Sequence, residues 1–149
     1  MTIPGTRQRR ILVVDDEPLV CESIKWLLAL DGDEVETAVS GQQALTLFRE
    51  GWFDAVVIDY EMPGMHGTEL AAAIKKLDPR QPVLLITAYP ETLVALKTPV
   101  AGVDLVIGKP FSHEQLRQAL TNTIAKSQIL PPAALGPATA RDQPTRGTG

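Results

Sequence analysis

Residues 55–67 read Ala55-Val56-Val57-Ile58-Asp59-Tyr60-Glu61-Met62-Pro63-Gly64-Met65-His66-Gly67: four apolar residues, an aspartate, and a loop containing two glycines and a proline. A continuous apolar run of this length, without polar alternation, indicates a strand covered on both faces, as in a parallel sheet. The design recurs. Ile11 to Val14 ends in Asp15-Asp16-Glu17, Val83 to Ile86 ends at Thr87, and Val103 to Ile107 ends near Lys109; Val35 to Val39 reads as a less apolar edge strand.

Helical patterns fill the intervals. Val20, Ile24, Leu27 and Leu28 make one stripe, with Pro18 suited to a first turn where its missing N–H costs nothing. Leu70, Ile74 and Leu77 make another, as do Leu116, Leu120 and Ile124, and Ser40 with Gln43 and Ser112 with Gln115 read as capping boxes. The stretch Pro90 to Lys97 is short and Pro99 lacks a helix-interior N–H, so an irregular segment is expected there. Strict β-α alternation, five times over, defines an α/β chain with a doubly wound five-stranded parallel sheet and helices on both faces. The ligand site of such a sheet lies outside the carboxyl ends of its strands, where Asp15, Asp16, Asp59, Thr87 and Lys109 fall.

The 149 residues suit one domain, expected over 10–126, with a solvated lead over 1–9 and a disordered Pro/Ala/Gly-rich tail over 127–149. Fourteen basic against 18 acidic residues leave a net charge of −4 with 5% aromatics, no footprint for nucleic acid or a membrane surface. Arg7, Arg9 and Arg10 form the one basic cluster and read as solvated. No run approaches the roughly 20 apolar residues of a membrane span, and the lone Cys21 excludes an internal disulfide, so a cytoplasmic location is expected. Cys21 itself reads as a small packing side chain in a helix.

Three carboxylates converging at one sheet edge repel one another unless a cation is present, and oxygen ligands alone select a hard ion. Magnesium fits, and manganese can substitute. Lys109 adds a fixed positive charge and Thr87 a hydroxyl, so metal, ammonium and hydroxyl can each hold one oxygen of a phosphoryl group. Asp59, alone at the end of the central strand, is the best placed nucleophile, and an aspartyl nucleophile yields a mixed anhydride that water can remove.

These motifs, Asp15-Asp16, Asp59 with its Met62-to-Gly67 loop, Thr87-Ala88, and Lys109-Pro110-Phe111, resemble the receiver domain of two-component response regulators over about Arg10 to Lys126. The resemblance implies a flavodoxin-like strand order 2-1-3-4-5, Asp59 as phosphoacceptor, and Asp15, Asp16, Asp59 and the Glu61 backbone carbonyl as magnesium ligands. It further implies that Thr87 and Lys109 bind the attached phosphoryl group, that Lys109-Pro110 is a cis peptide, and that Gly64 and Gly67 give the loop unusual backbone angles. A histidine kinase or histidine phosphotransfer protein would be the donor, recognised around Leu19 to Leu27 and Phe111 to Glu114. The chain would be a signalling phosphoacceptor rather than an enzyme, acting through protein contacts or relay, since 23 residues after Lys126 do not make a DNA-binding domain.

One departure stands out. Receivers carry Tyr or Phe three residues before the lysine, where this chain has Val106, so the aromatic half of the usual switch is missing. Glu61 and Tyr89 stand where the family's residues flank the phosphoryl group, and are expected to set its lifetime. The side chains of Glu17 and Glu61 otherwise read as exposed, His66 and His113 as surface residues at helix starts, and Met62 and Met65 as loop packing. Two alternatives remain: a pseudo-receiver that binds partners without phosphorylation, and a haloacid-dehalogenase-like phosphatase. The second wants Asp-x-Asp after the first strand, where this chain has Asp15-Asp16-Glu17.

Overall fold

A computed structural model of the chain describes residues 8–90 and 102–128. The expectations for the lead before Gln8, for the segment around Pro99 and for the tail beyond Gln128 lie outside the described residues. Five strands, β1 (Arg10–Val14), β2 (Glu34–Ala38), β3 (Ala55–Asp59), β4 (Val83–Thr87) and β5 (Leu105–Gly108), form one parallel sheet in the order β2-β1-β3-β4-β5. Among the described residues four helices accompany it: α1 (Pro18–Leu30), α2 (Gly41–Glu50), α3 (Gly67–Leu77) and α4 (His113–Gln128). The doubly wound sheet and its order are as expected. The fifth strand begins at Leu105 rather than Val103, because Gly102 turns with φ 81° and the Asp104 side chain leaves to bond the Val83 N–H.

Each central strand sends alternate residues to opposite faces. Leu12, Val14, Val56, Ile58, Val83 and Leu85 pack with residues of α2 and α3, while Ile11, Val13, Val57, Leu84 and Ile86 pack with residues of α1 and α4. Covering both faces is why the strands read as unbroken apolar runs. β2, at the edge, is mixed in sequence and carries Glu34 and Glu36, charges that discourage pairing with another chain.

The caps follow the sequence with one change. Ser112 and Gln115 form the full reciprocal box: Gln115 N–H donates to Ser112 Oγ at 3.0 Å, and Ser112 N–H to Gln115 Oε1 at 2.7 Å. At α2, Gln43 N–H donates to Ser40 Oγ, but the Gln43 side chain accepts from Val39 N–H, one residue earlier than a capping box requires.

Arg9 and Arg10 are not a solvated lead. Arg9 forks onto Asp33 with two bonds of 2.9 Å. Arg10 opens β1, reaches Glu34 at 3.0 Å and Glu36 at 3.1 Å, and stacks over Phe53 at 5.1 Å. Their partners sit at and just before β2 and β3, which the parallel pairing brings beside the start of β1. Cys21 is buried, with Sγ 3.2 Å from the Asp15 carbonyl oxygen; burial first and the Asp15 charge next push its thiol up to about 11, so it packs as an inert thiol.

Candidate functional site

β1, β3 and β5 deliver three side chains to one place. Asp15 follows Val13, Asp59 follows Val57 and Lys109 follows Ile107 by two positions each, so all three continue the rows that face α1 and α4. Carboxylate oxygens of Asp15, Asp16 and Asp59 lie within 4.8 Å of one another. Asp15 and Asp59 are 3% and 4% exposed, whereas Asp16 is more open. The Lys109 ammonium donates to Asp59 Oδ1 at 2.9 Å and stands 4.0 Å from Asp15 Oδ2. The Lys109–Pro110 peptide is cis, as the resemblance implied.

The electrostatics record a shortage of positive charge. Burial pushes the Asp15 carboxyl up to about 6 and the charges of Asp59 and Asp16 add to the rise, opposed by the Glu17 N–H at 2.9 Å and by Lys109. Burial works against the Lys109 charge, but the bond to Asp59 and the charges of Asp59, Asp15 and Glu61 leave its ammonium above the usual range. Buried carboxylates that outnumber the nearby cation, all with oxygen donors, fit a hard divalent ion and are compatible with magnesium.

The loop after β3 is shaped by its glycines, in two ways. Gly64 adopts φ 78°, the left-handed region that favours glycine. Gly67 is needed for space rather than for an unusual angle: a Cβ there would sit 2.5 Å from the Asp59 carbonyl oxygen and 2.9 Å from Tyr60 Cα, both backbone atoms. The missing Cβ lets α3 start directly against the end of β3. His66 precedes that helix, exposed, and its N–H donates to Glu69 Oε1 at 2.9 Å. His113 opens α4 and pairs with Asp31 at 3.0 Å. None of these bonds joins either histidine to Asp15, Asp16 or Asp59. Met62 is buried and Met65 packs on the α2–α3 side, as loop packing predicts.

Thr87 is buried at the end of β4, and its partner is one that the sequence reading left in solvent. Thr87 Oγ1 donates to Glu61 Oε2 at 2.7 Å, and the Ala88 N–H points at both oxygens of that carboxylate, at 3.3 and 3.4 Å. Glu61 is exposed yet engaged. The residues are 26 apart in sequence, so no local pattern reveals the contact; the cue is that Thr87 ends β4 and Glu61 closely follows the end of the neighbouring strand β3. Tyr89 is exposed, and its N–H donates to Thr87 Oγ1 at 3.0 Å. Val106 packs on the core rather than into the site.

A five-stranded parallel sheet of order 2-1-3-4-5 with an aspartate cluster and a lysine at its carboxyl edge defines a receiver-type fold and site. Residues 11–121 match the response regulator receiver domain, and the chain belongs to that family of two-component signalling proteins. The transcriptional regulatory protein TrcR of Mycobacterium tuberculosis is 32% identical over 121 residues, covering 81% of this chain and 47% of TrcR. A response regulator receiver domain protein from Clostridium thermocellum is similar in structure, with a TM-score of 0.72, 33% identity, and coverage of 83% of this chain and 99% of that one. TrrA from Thermotoga maritima, solved in complex with Mg(2+)-BeF, gives a TM-score of 0.71 at 36% identity, covering 78% of this chain and 99% of TrrA. The chain spans about half the length of several curated relatives it matches, so the transcriptional role named for TrcR and the DNA binding named for MtrA of Mycolicibacterium smegmatis belong to those whole proteins. Among the described residues no helix is long and apolar enough to cross a membrane.

Proposed function

We propose that the chain accepts a phosphoryl group on Asp59 from a histidine kinase or histidine phosphotransfer protein, and passes the signal on through protein contacts or relay. One observation carries this reading: Asp59 is buried among carboxylates, with Lys109 at 2.9 Å as its nearest cation. An Asp59 carboxylate oxygen attacks phosphorus as the donor's N–P bond breaks, the electron pair leaving with the donor nitrogen, which is then protonated. The product is an acyl phosphate. Lys109 shifts from Asp59 toward a phosphoryl oxygen, and the Thr87 hydroxyl and Ala88 N–H donate to others. Asp15, Asp16, Asp59 and the Glu61 backbone carbonyl would hold magnesium, or manganese in its place. The ion supplies positive charge that offsets the carboxylates and the incoming phosphoryl oxygens.

The face expected to meet the donor supports the same reading. Leu19 and Trp26 on α1 are 81% and 64% exposed, two large apolar side chains on a helix that begins just after Asp15 and Asp16. Incubation with acetyl phosphate and magnesium, followed by intact mass measurement, tests the acceptor. One added phosphoryl group is expected on the parent chain and none on Asp59→Asn; an adduct that persists in the variant sinks the assignment.

A further inference from the structure

We propose that the Glu61 carboxylate is a built-in occupant of the phosphoryl-binding donors, holding Thr87 and Ala88 at rest until an arriving phosphoryl group displaces it. The proposal rests on the phosphoacceptor reading above and adds to it a regulatory contact inside the same site.

A threonine hydroxyl has one proton to donate, and in this structure it is committed to Glu61 Oε2 at 2.7 Å. The Tyr89 N–H, donating to Thr87 Oγ1 at 3.0 Å, fills an acceptor position and leaves the hydroxyl proton directed at Glu61. The Ala88 N–H points to the same carboxylate. These are the two donors assigned above to phosphoryl oxygens. A carboxylate resembles a phosphoryl group in what those donors sense, namely negatively charged oxygens a short distance apart.

Occupancy is exclusive. One hydroxyl proton and one N–H do not serve two anions, and the anions repel each other in a site where Asp15, Asp16 and Asp59 already crowd. Glu61 has somewhere to go, because its side chain lies at the surface while the next residue, Met62, is buried and pins the loop backbone. Displacement is therefore a side-chain swing into water, with the main chain left in place. Lys109 is held separately by Asp59, so the swing does not strip that lysine of its partner. Val106 has no ring to follow the threonine, whereas Glu61 is bonded to the threonine hydroxyl directly.

Backbone amide resonances of Thr87 and Ala88, and the affinity for beryllofluoride in magnesium, test the proposal on the parent chain, Glu61→Ala and Glu61→Gln. Both variants keep the residue-61 carbonyl. In the ligand-free proteins the Ala88 amide shifts in Glu61→Ala, and beryllofluoride then binds about tenfold more tightly than to the parent, the gain expected from removing one charge-assisted competitor. Glu61→Gln, which keeps an acceptor without the charge, falls between. An unmoved Ala88 amide in ligand-free Glu61→Ala, or an affinity equal to or below the parent's, overturns the proposal while leaving Asp59 as acceptor. If the amide moves but none of the three proteins takes beryllofluoride, and acetyl phosphate does not label Asp59, the phosphoacceptor reading itself fails and takes the proposal with it.

Discussion

The two edges of the sheet use the same kinds of charged residue in different pairings. At the amino edge each of three cations holds at least one carboxylate directly: Arg9 on Asp33, Arg10 on Glu34 and Glu36, Lys75 on Asp104. Asp104 also accepts the Val83 N–H at 2.8 Å, so one side chain ties α3, β4 and the approach to β5. At the carboxyl edge the carboxylates of Asp15, Asp16 and Asp59 face Lys109. Matched charge fastens the sheet; unmatched charge leaves work for a ligand. The difference singles out the carboxyl edge as the candidate site without reference to any relative.

Removing a charge should therefore have opposite signs at the two edges. The largest effect is expected for Arg9→Ala, which strands Asp33, 7% exposed, without its forked partner. Breaking a buried pair on one side costs more than the pair is worth, and with Arg9 itself partly exposed the loss is about 2–3 kcal/mol. Urea unfolding at pH 7 measures it; a loss too small to detect would erase the contrast between the edges. Asp33→Asn, which keeps an acceptor for the guanidinium, should lose less.

At the other edge, Asp15→Asn should stabilise the metal-free protein by a comparable amount, about 2–3 kcal/mol at pH 7.5, while keeping an oxygen for the Glu17 N–H. The gain is pH-dependent, with a definite sign. Asp15 titrates near 6 in the folded chain against an ordinary 3.8, so between those values the native state keeps a proton that the unfolded chain has lost. The penalty is absent below the lower value, grows as pH rises through the window, and is complete above the upper one. Unfolding curves of parent and variant should converge by pH 4, and a gain independent of pH would exclude Asp15 ionisation as its cause.

A smaller effect follows for magnesium. If Asp15 holds the ion as proposed, then with its carboxyl mostly protonated at pH 5.5 and ionised at pH 7.5 the parent should bind magnesium about fourfold more weakly at the lower pH through this group alone. Calorimetric titration at the two pH values measures the ratio. Equal affinities would mean that Asp15 is not a ligand, and would leave the cluster's shortage of cation to be met some other way.

What the sequence made legible divides along the same line. Asp15, Asp59, Thr87 and Lys109 are readable because each terminates an apolar run, and in a parallel sheet run ends share an edge. The pairing of Arg9 with Asp33 and the hold of Glu61 on Thr87 span 24 and 26 residues, and no local pattern encodes which side chains will meet. Arg9 and Arg10 read as a solvated cluster because their partners belong to other strands. Gly67 read as a conformational glycine although its requirement is space, visible only once α3 stands against β3. Strand identity is written in composition, whereas the partners of charged groups are written in register.

The smallest expected effect tests whether matched charge at the amino edge matters wherever it occurs. Arg10 has more partners than Arg9: Glu34, Glu36, the Trp52 carbonyl at 3.0 Å and the Phe53 ring. Yet the Glu34 side chain is 51% exposed and that of Glu36 40%, so water replaces the guanidinium when it is removed and neither carboxylate is stranded. Arg10→Ala should cost about 1 kcal/mol or less, mostly from the ring and the aliphatic stem, and 0.5 M salt should change it little. A loss equal to that of Arg9→Ala would show that the number of partners, not the burial of the carboxylate left behind, decides what an ion pair contributes at this edge.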